Sequence, residues 1–166
     1  MPVHWLFRFE TAAATAAWRA IDDRVMGGVS RSRLRFDPAG HAVFEGEVSL
    51  DQGGGFASVR APVAATGAAT ASAVVVEALG DGRKYKLSLF LDDAFDAPAY
   101  QATLAPPAGG WQVLALPLAG FVPRFRGRAV AGAAALQPAH IRQAGLLIAD
   151  RQAGPFALQL RAIGLR

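Results

Sequence analysis

Lys84-Tyr-Lys-Leu-Ser-Leu-Phe-Leu91 alternates along its length: Tyr85, Leu87, Leu89 and Leu91 fall on one side of an extended chain, with Lys84, Lys86 and Ser88 on the other. Successive side chains of a β-strand point to opposite faces, so a period of two marks a strand with one dry face and one wet face. The pattern recurs in Phe44-Glu-Gly-Glu-Val-Ser-Leu50, where Phe44, Val48 and Leu50 oppose Glu45, Glu47 and Ser49. It recurs again where Phe156, Leu158 and Leu160 alternate with Ala157, Gln159 and Arg161. Outward from these, strands are expected at 6–9, 33–37, 56–61, 73–79, 100–104, 111–116 and 144–149. Asp37-Pro-Ala-Gly40, Gly80-Asp-Gly82, Pro106-Pro-Ala-Gly-Gly110 and Ala153-Gly-Pro155 separate the apolar runs with residues that favour turns. Only 11–18 has sustained helical propensity, and its alanines offer little surface for docking, so at most a short turn of helix is expected there. Residues 123–138 lose the alternation and read as a long excursion between sheet edges. About ten strands cannot share one flat sheet with a dry face, so the expected fold is all-β, two packed sheets or a closed barrel.

The chain has 166 residues, 52% of them hydrophobic and 18% charged, which suits one domain with a substantial core. It has no cysteine, which excludes disulfides, thiolate metal sites and a cysteine nucleophile. No run approaches the ~20 apolar residues that cross a bilayer. Met1-Pro-Val-His-Trp-Leu-Phe-Arg-Phe9 lacks the basic and apolar segments of a secretion signal, so a soluble, bacterial cytoplasmic protein is expected. The net charge is +4, yet Lys84 and Lys86 are the only lysines, alanine is abundant and asparagine is absent. That bias reflects overall composition, so the basic balance argues little for nucleic acid.

Catalytic templates are missing. There is no Gly-x-Ser-x-Gly elbow, no phosphate-binding Gly-x-x-x-x-Gly-Lys and no Gly-x-Gly-x-x-Gly before a helix. His4, His41 and His140 are isolated from one another and from acidic clusters, so they suggest neither a zinc site nor a proton relay. Asp92, Asp93 and Asp96 could contribute to a calcium loop but match no ligand spacing, and read better as a solvated hairpin. No cofactor or metal is expected. Asp22 and Asp23 precede the pair Gly27-Gly28, a combination suited either to a tight turn that fastens the first strand or to a recognition loop. Gly53-Gly-Gly-Phe-Ala-Ser-Val-Arg60 places Phe56, Ser58 and Arg60 on one strand face, with Phe56 reading as a core ring and Arg60 as the functional candidate. Arg31, Arg33 and Arg35, and later Arg124, Arg126 and Arg128, stand at strand spacing and read as solvated outer rows or protected edges.

Trp18, Asp23-Arg-Val-Met-Gly-Gly-Val-Ser30, Phe44-Glu-Gly46, Gly54-Gly-Phe-Ala-Ser-Val-Arg60, Gly80-Asp-Gly-Arg-Lys-Tyr85, Leu116-Pro-Leu-Ala-Gly-Phe121, Phe125-Arg-Gly-Arg128 and Ile148-Ala-Asp-Arg-Gln-Ala-Gly-Pro-Phe156 follow one another in an order that resembles the complex I intermediate-associated protein 30 family. The resemblance implies a galactose-binding-domain-like jelly-roll sandwich and a non-enzymatic role. Its mitochondrial members assist assembly of the membrane-bound NADH:ubiquinone oxidoreductase. No mitochondrial targeting extension like theirs is expected for this chain, and Gly53 stands where relatives commonly carry asparagine. A binding module for a protein partner is therefore expected, its surface drawn from Asp22, Asp23, Arg24, Met26 and Ser30, with Arg60, Asp81, Arg83, Tyr85, Arg126 and Asp150 beside them. The alternative is a carbohydrate-binding module in which Trp111, Tyr85 or Phe56 stacks on a sugar ring. A third reading, an enzyme built from Asp22, Asp23 or Asp81 with an arginine, has no visible constellation behind it. A common site requires the two glycine loops and the 80–85 turn to meet at one rim.

Overall fold

A computed structural model describes residues 2–23, 27–64 and 68–166 of the chain. The strands are β1 (His4–Arg8), β2 (Arg19–Ala20), β3 (Arg31–Asp37), β4 (His41–Val48), β5 (Ala57–Pro62), β6 (Ala73–Leu79), β7 (Tyr85–Phe90), β8 (Ala99–Leu104), β9 (Gln112–Pro117), β10 (Val122–Phe125), β11 (Arg128–Ala129), β12 (Gln143–Ile148) and β13 (Gly154–Leu165). They form two antiparallel sheets. The first runs β3-β4-β13-β6-β9, with β1 joined to the second half of β13; the other runs β11-β10-β8-β7-β12-β5-β2. This is the expected jelly-roll sandwich.

The period of two decides which side chains meet. Tyr85, Leu87 and Leu89 point inward from β7, and Ala144, Leu146 and Ile148 do so from β12. They pack against Phe44, Val74, Val76, Leu158 and Leu160 of the facing sheet, all shielded from water. Phe44 and Phe156 touch Tyr85 across the gap, with ring centroids 6.0 and 6.2 Å away, so the cores of the two sheets are joined by aromatic edges. The alanine-rich stretch forms only a short 3-10 turn, Ala12–Thr15, and Trp18 after it fills the space beside Phe7 and Phe9.

Three short strands escape the sequence pattern. β2 and β11 have two residues each, too few to show a period. β10 is Val122-Pro-Arg-Phe, and its proline masks a strand that lies near the sheet edge, where a missing N–H is tolerated. The 123–138 excursion thus begins as a β10–β11 hairpin. Its three arginines do not form one row: Arg126 turns the hairpin with φ 53°, and Arg124 and Arg128 lie on opposite strands.

The arginines of β3 do form a row, and it is compensated. Arg31 pairs with Glu47 at 3.7 Å, Arg33 with Glu45 at 2.7 Å, and Arg35 with Glu45 at 2.9 Å and Asp37 at 3.3 Å. Burial alone would raise the Glu45 carboxyl, but hydrogen bonds from Arg33 and Arg35 hold it below its ordinary range. A charged edge strand of this kind resists pairing with another chain.

Candidate functional site

The pairings Val48↔Gly154 and Ala57↔Ile148 place the ends of β4 and β12 and the starts of β5 and β13 at one end of the sandwich. Both glycine loops arrive there, and Asp23 holds them together. Its carboxylate, wholly shielded from solvent, accepts from the Ser30 N–H at 2.9 Å and the Ser30 hydroxyl at 2.6 Å. It also accepts from the N–H groups of Gly55 at 2.7 Å and Phe56 at 3.3 Å. Burial pushes this carboxyl up, yet the Ser30 hydroxyl and the three backbone donors outweigh it and hold the group below the usual carboxylate range. The glycines follow from that bond set. A Cβ on Gly28 would come 2.5 Å from the Asp23 Cγ, and one on Gly54 would come 2.5 Å from its Oδ2. Neither could be accommodated unless the acid moved. Gly53 turns with φ +76°, a conformation that asparagine also tolerates.

Asp22 works in parallel, accepting from the Ser32 N–H at 3.1 Å, the Ser32 hydroxyl at 2.6 Å and the Ser58 N–H at 3.0 Å. Ser30 is buried, and its hydroxyl also accepts from the Ser49 N–H at 2.9 Å. Asp22, Asp23 and Ser30, expected at the recognition surface, are interior ties between loops. Arg24 and Met26 lie outside the described residues.

The 80–85 turn reaches the same end. Tyr85, buried against the core, donates to Asp81 at 2.9 Å, and the same Asp81 oxygen accepts from the Ala157 N–H at 2.9 Å. Burial, with the Asp81 charge beside it, pushes the Tyr85 phenol far above its usual value, so it stays protonated as a donor. Arg83 donates to the carbonyls of Gln152 and Ala153 at 3.1 and 3.2 Å. The loops and the turn therefore meet as the sequence required of a common site, but what meets is a network of bonds already filled. Asp150, with φ 59°, projects its carboxylate toward Lys86 at 3.7 Å.

Arg60 belongs to a different surface. The registers Arg19↔Arg60, Arg60↔Gly145, Gly145↔Ser88, Ser88↔Gln101 and Gln101↔Val122 align six residues across the outer face of the seven-stranded sheet. Gly145 leaves the middle of this row low. A Cβ there would be 3.1 Å from the Val59 carbonyl. Arg60 stacks over Phe90, 4.0 Å from its ring centroid, and donates through Nη1 to the Phe95 carbonyl at 2.9 Å. Phe90 is only 3% exposed although it faces outward, because the guanidinium covers it. Burial alone lowers the Arg60 pKa, and among the described residues no carboxylate pairs with it. Gln143 is tied to the carbonyls of Asp92 and Ala94, and Gln101 donates to Ser88 at 3.2 Å. Phe56 is half-buried and stands outside the core, contrary to its expected role.

Other expected stacking rings are occupied: Tyr85 is in the core, and Trp111 lies beneath Arg161 at 4.0 Å with His41 at its edge. Arg126 pairs with Asp96 at 2.9 Å, and the described residues contain no cluster of three or more metal-ligating side chains. No described helix is long and apolar enough to cross a membrane.

The fold is that of the carbohydrate-binding β-sandwiches. The family 11 carbohydrate-binding module of a cellulosomal cellulase from Clostridium thermocellum superposes with a TM-score of 0.71 at 12% identity, covering 99% of this chain and 94% of that one. A family 29 carbohydrate-binding module superposes with a TM-score of 0.55 at 8% identity over 100% and 92% of the two chains. An exo-β-agarase matches at 0.61 and 10% identity, over 98% of this chain and 24% of the enzyme. No curated protein matches by sequence. The sequence profile of complex I intermediate-associated protein 30 matches residues 7–160, nearly the whole chain, and the chain belongs to that family.

Proposed function

We propose that the chain is a non-catalytic binding module that uses the outer face of its seven-stranded sheet to hold a protein partner while a larger complex is assembled. The family match over residues 7–160 supports an assembly role. The single observation that supports this choice of surface is Arg60, a half-buried guanidinium with no counter-charge among the described residues, on a face where Phe95 is 61% exposed and Val122 42% exposed. An exposed aromatic side chain beside a half-buried arginine is typical of protein interfaces. The acids that an enzyme would need, Asp22, Asp23 and Asp81, are consumed by structural hydrogen bonds. Removing the chain from its native cell, then resolving NADH:ubiquinone oxidoreductase on native gels, tests the role. Accumulated subcomplexes are expected, and an enzyme of unchanged amount and composition would reject it.

The fold neighbours favour a second reading, a carbohydrate-binding module. Ser88 and Gln101 supply hydrogen-bonding groups on the same face. Phe95, not Trp111 or Tyr85, would be its stacking ring. Selective retention on a glycan array, lost in Phe95→Ala, would favour this reading over assembly.

A further inference from the structure

The geometry points to a carboxylate-binding site at Arg60 that takes an aspartate or glutamate side chain from an acidic segment of the protein partner. This rests on the reading of the outer sheet face as the partner surface and names the chemistry that surface selects. A guanidinium carries five N–H donors in a planar fork. At Arg60 one of them reaches the Phe95 carbonyl, and among the described residues the others find no protein acceptor. Phe90 covers one side of the plane, so the edge of the fork remains, which is the approach a carboxylate makes in a bidentate pair. A cation partly withdrawn from water without an opposite charge carries a desolvation cost, and a partner's carboxylate offsets it on docking.

The charge count favours an anionic occupant. Lys86 already faces Asp150 at 3.7 Å and Arg126 already holds Asp96 at 2.9 Å, which leaves Arg60 uncompensated with exposed Arg19 beside it in the strand register. Phe95, 61% exposed and bonded to Arg60 through its carbonyl, gives the residues flanking the acid an apolar contact, which a protein segment can use.

The full chain, with its arginine Nε–Hε signals followed by NMR, can be titrated with a hexaglutamate peptide, a hexaglutamine peptide and trigalacturonate. Hexaglutamate should shift the Arg60 signal saturably while hexaglutamine leaves it in place. Arg60→Gln should weaken hexaglutamate about tenfold, whereas Arg124→Gln on the same sheet should change it only about twofold. Arg60→Lys, which keeps the charge but loses the fork, should also weaken it, while the melting temperatures of all three variants report that the fold survives. Equal affinity in Arg60→Gln, no saturable shift, or a response to trigalacturonate alone would overturn the proposal. If complex assembly depends on Arg60 but hexaglutamate does not bind, the partner surface stands and its carboxylate specificity falls. If hexaglutamate binds through Arg60 while assembly is indifferent to the chain, the site stands without that role.

Discussion

Asp23 and Arg60 stand on either side of the same short stretch, since the N–H groups of Gly55 and Phe56 that bind the acid lead directly into the strand that carries the arginine. Asp23 is sealed from water and Arg60 is half-buried, and the fold treats the two charges in opposite ways. Asp23 receives four hydrogen bonds and two glycines cleared to fit it; Arg60 receives two rings, a single carbonyl and, among the described residues, no opposite charge. A buried charge that is fully satisfied contributes to the folded state, while one left open marks a place completed by something else.

Removing Asp23 should therefore do the most damage. Asp23→Ala strands the donors of Ser30, Gly55 and Phe56, and chemical denaturation should show a loss of about 3 to 5 kcal/mol. The same carboxyl sets an acid limb. Because its folded pKa lies below the ordinary value, the unfolded chain takes up the proton first on acidification. Its contribution is complete above about pH 4 and fades as the pH falls through the folded value. Stability measured against pH should be flatter below about pH 4 in Asp23→Asn than in the wild type. A parallel pair of acid limbs would show that the carboxylate is not what fastens the loops.

Gly28→Ala and Gly54→Ala test the same comparison from the neighbour's side. Each sets a methyl 2.5 Å from the acid and should cost about 1 to 3 kcal/mol, less than removing the acid itself. Next comes Tyr85→Phe, which leaves Asp81 with the Ala157 and Arg83 N–H groups and should cost about 1 kcal/mol. Smallest of all should be Arg60→Met, which exchanges an uncompensated cation for an apolar chain of similar length. Its unfolding free energy should stay within about 1 kcal/mol of wild type, on either side. A loss as large as that of Asp23→Ala would mean that Arg60 belongs to the framework after all.

The sequence made the sandwich legible because most strands carry a clean period of two. The segment 73–79 matches β6 at both ends, and Phe44, Val48, Tyr85, Leu87, Leu89, Phe156, Leu158 and Leu160 point inward as their spacing requires. What stayed hidden was short or proline-bearing, as in β2, β10 and β11. The site was harder to read, for a different reason. A motif such as Asp-x-x-x-Gly-Gly-x-Ser looks the same whether its acid faces a partner or four internal donors, because hydrogen-bond satisfaction is settled by residues distant along the chain. Gly55, more than thirty positions beyond Asp23, decides that case. Phe90 shows the converse. The period of two puts it on the wet face with Lys86 and Ser88, and only the structure reveals that Arg60, thirty positions earlier, shields it there.

β13 has a consequence for how the protein comes into being. Running from Gly154 to Leu165, it lies between β4 and β6 in the middle of its sheet and also pairs with β1. Until those twelve residues leave the ribosome, β4 and β6 have no common neighbour and the edge that each presents to β13 stays unpaired. Assembly must then wait for synthesis to run almost the whole length of this sequence, and pairings between residues so far apart close slowly. A newborn chain of this design spends its first moments with two sticky strand edges open, and holdase chaperones are the natural occupants of that interval.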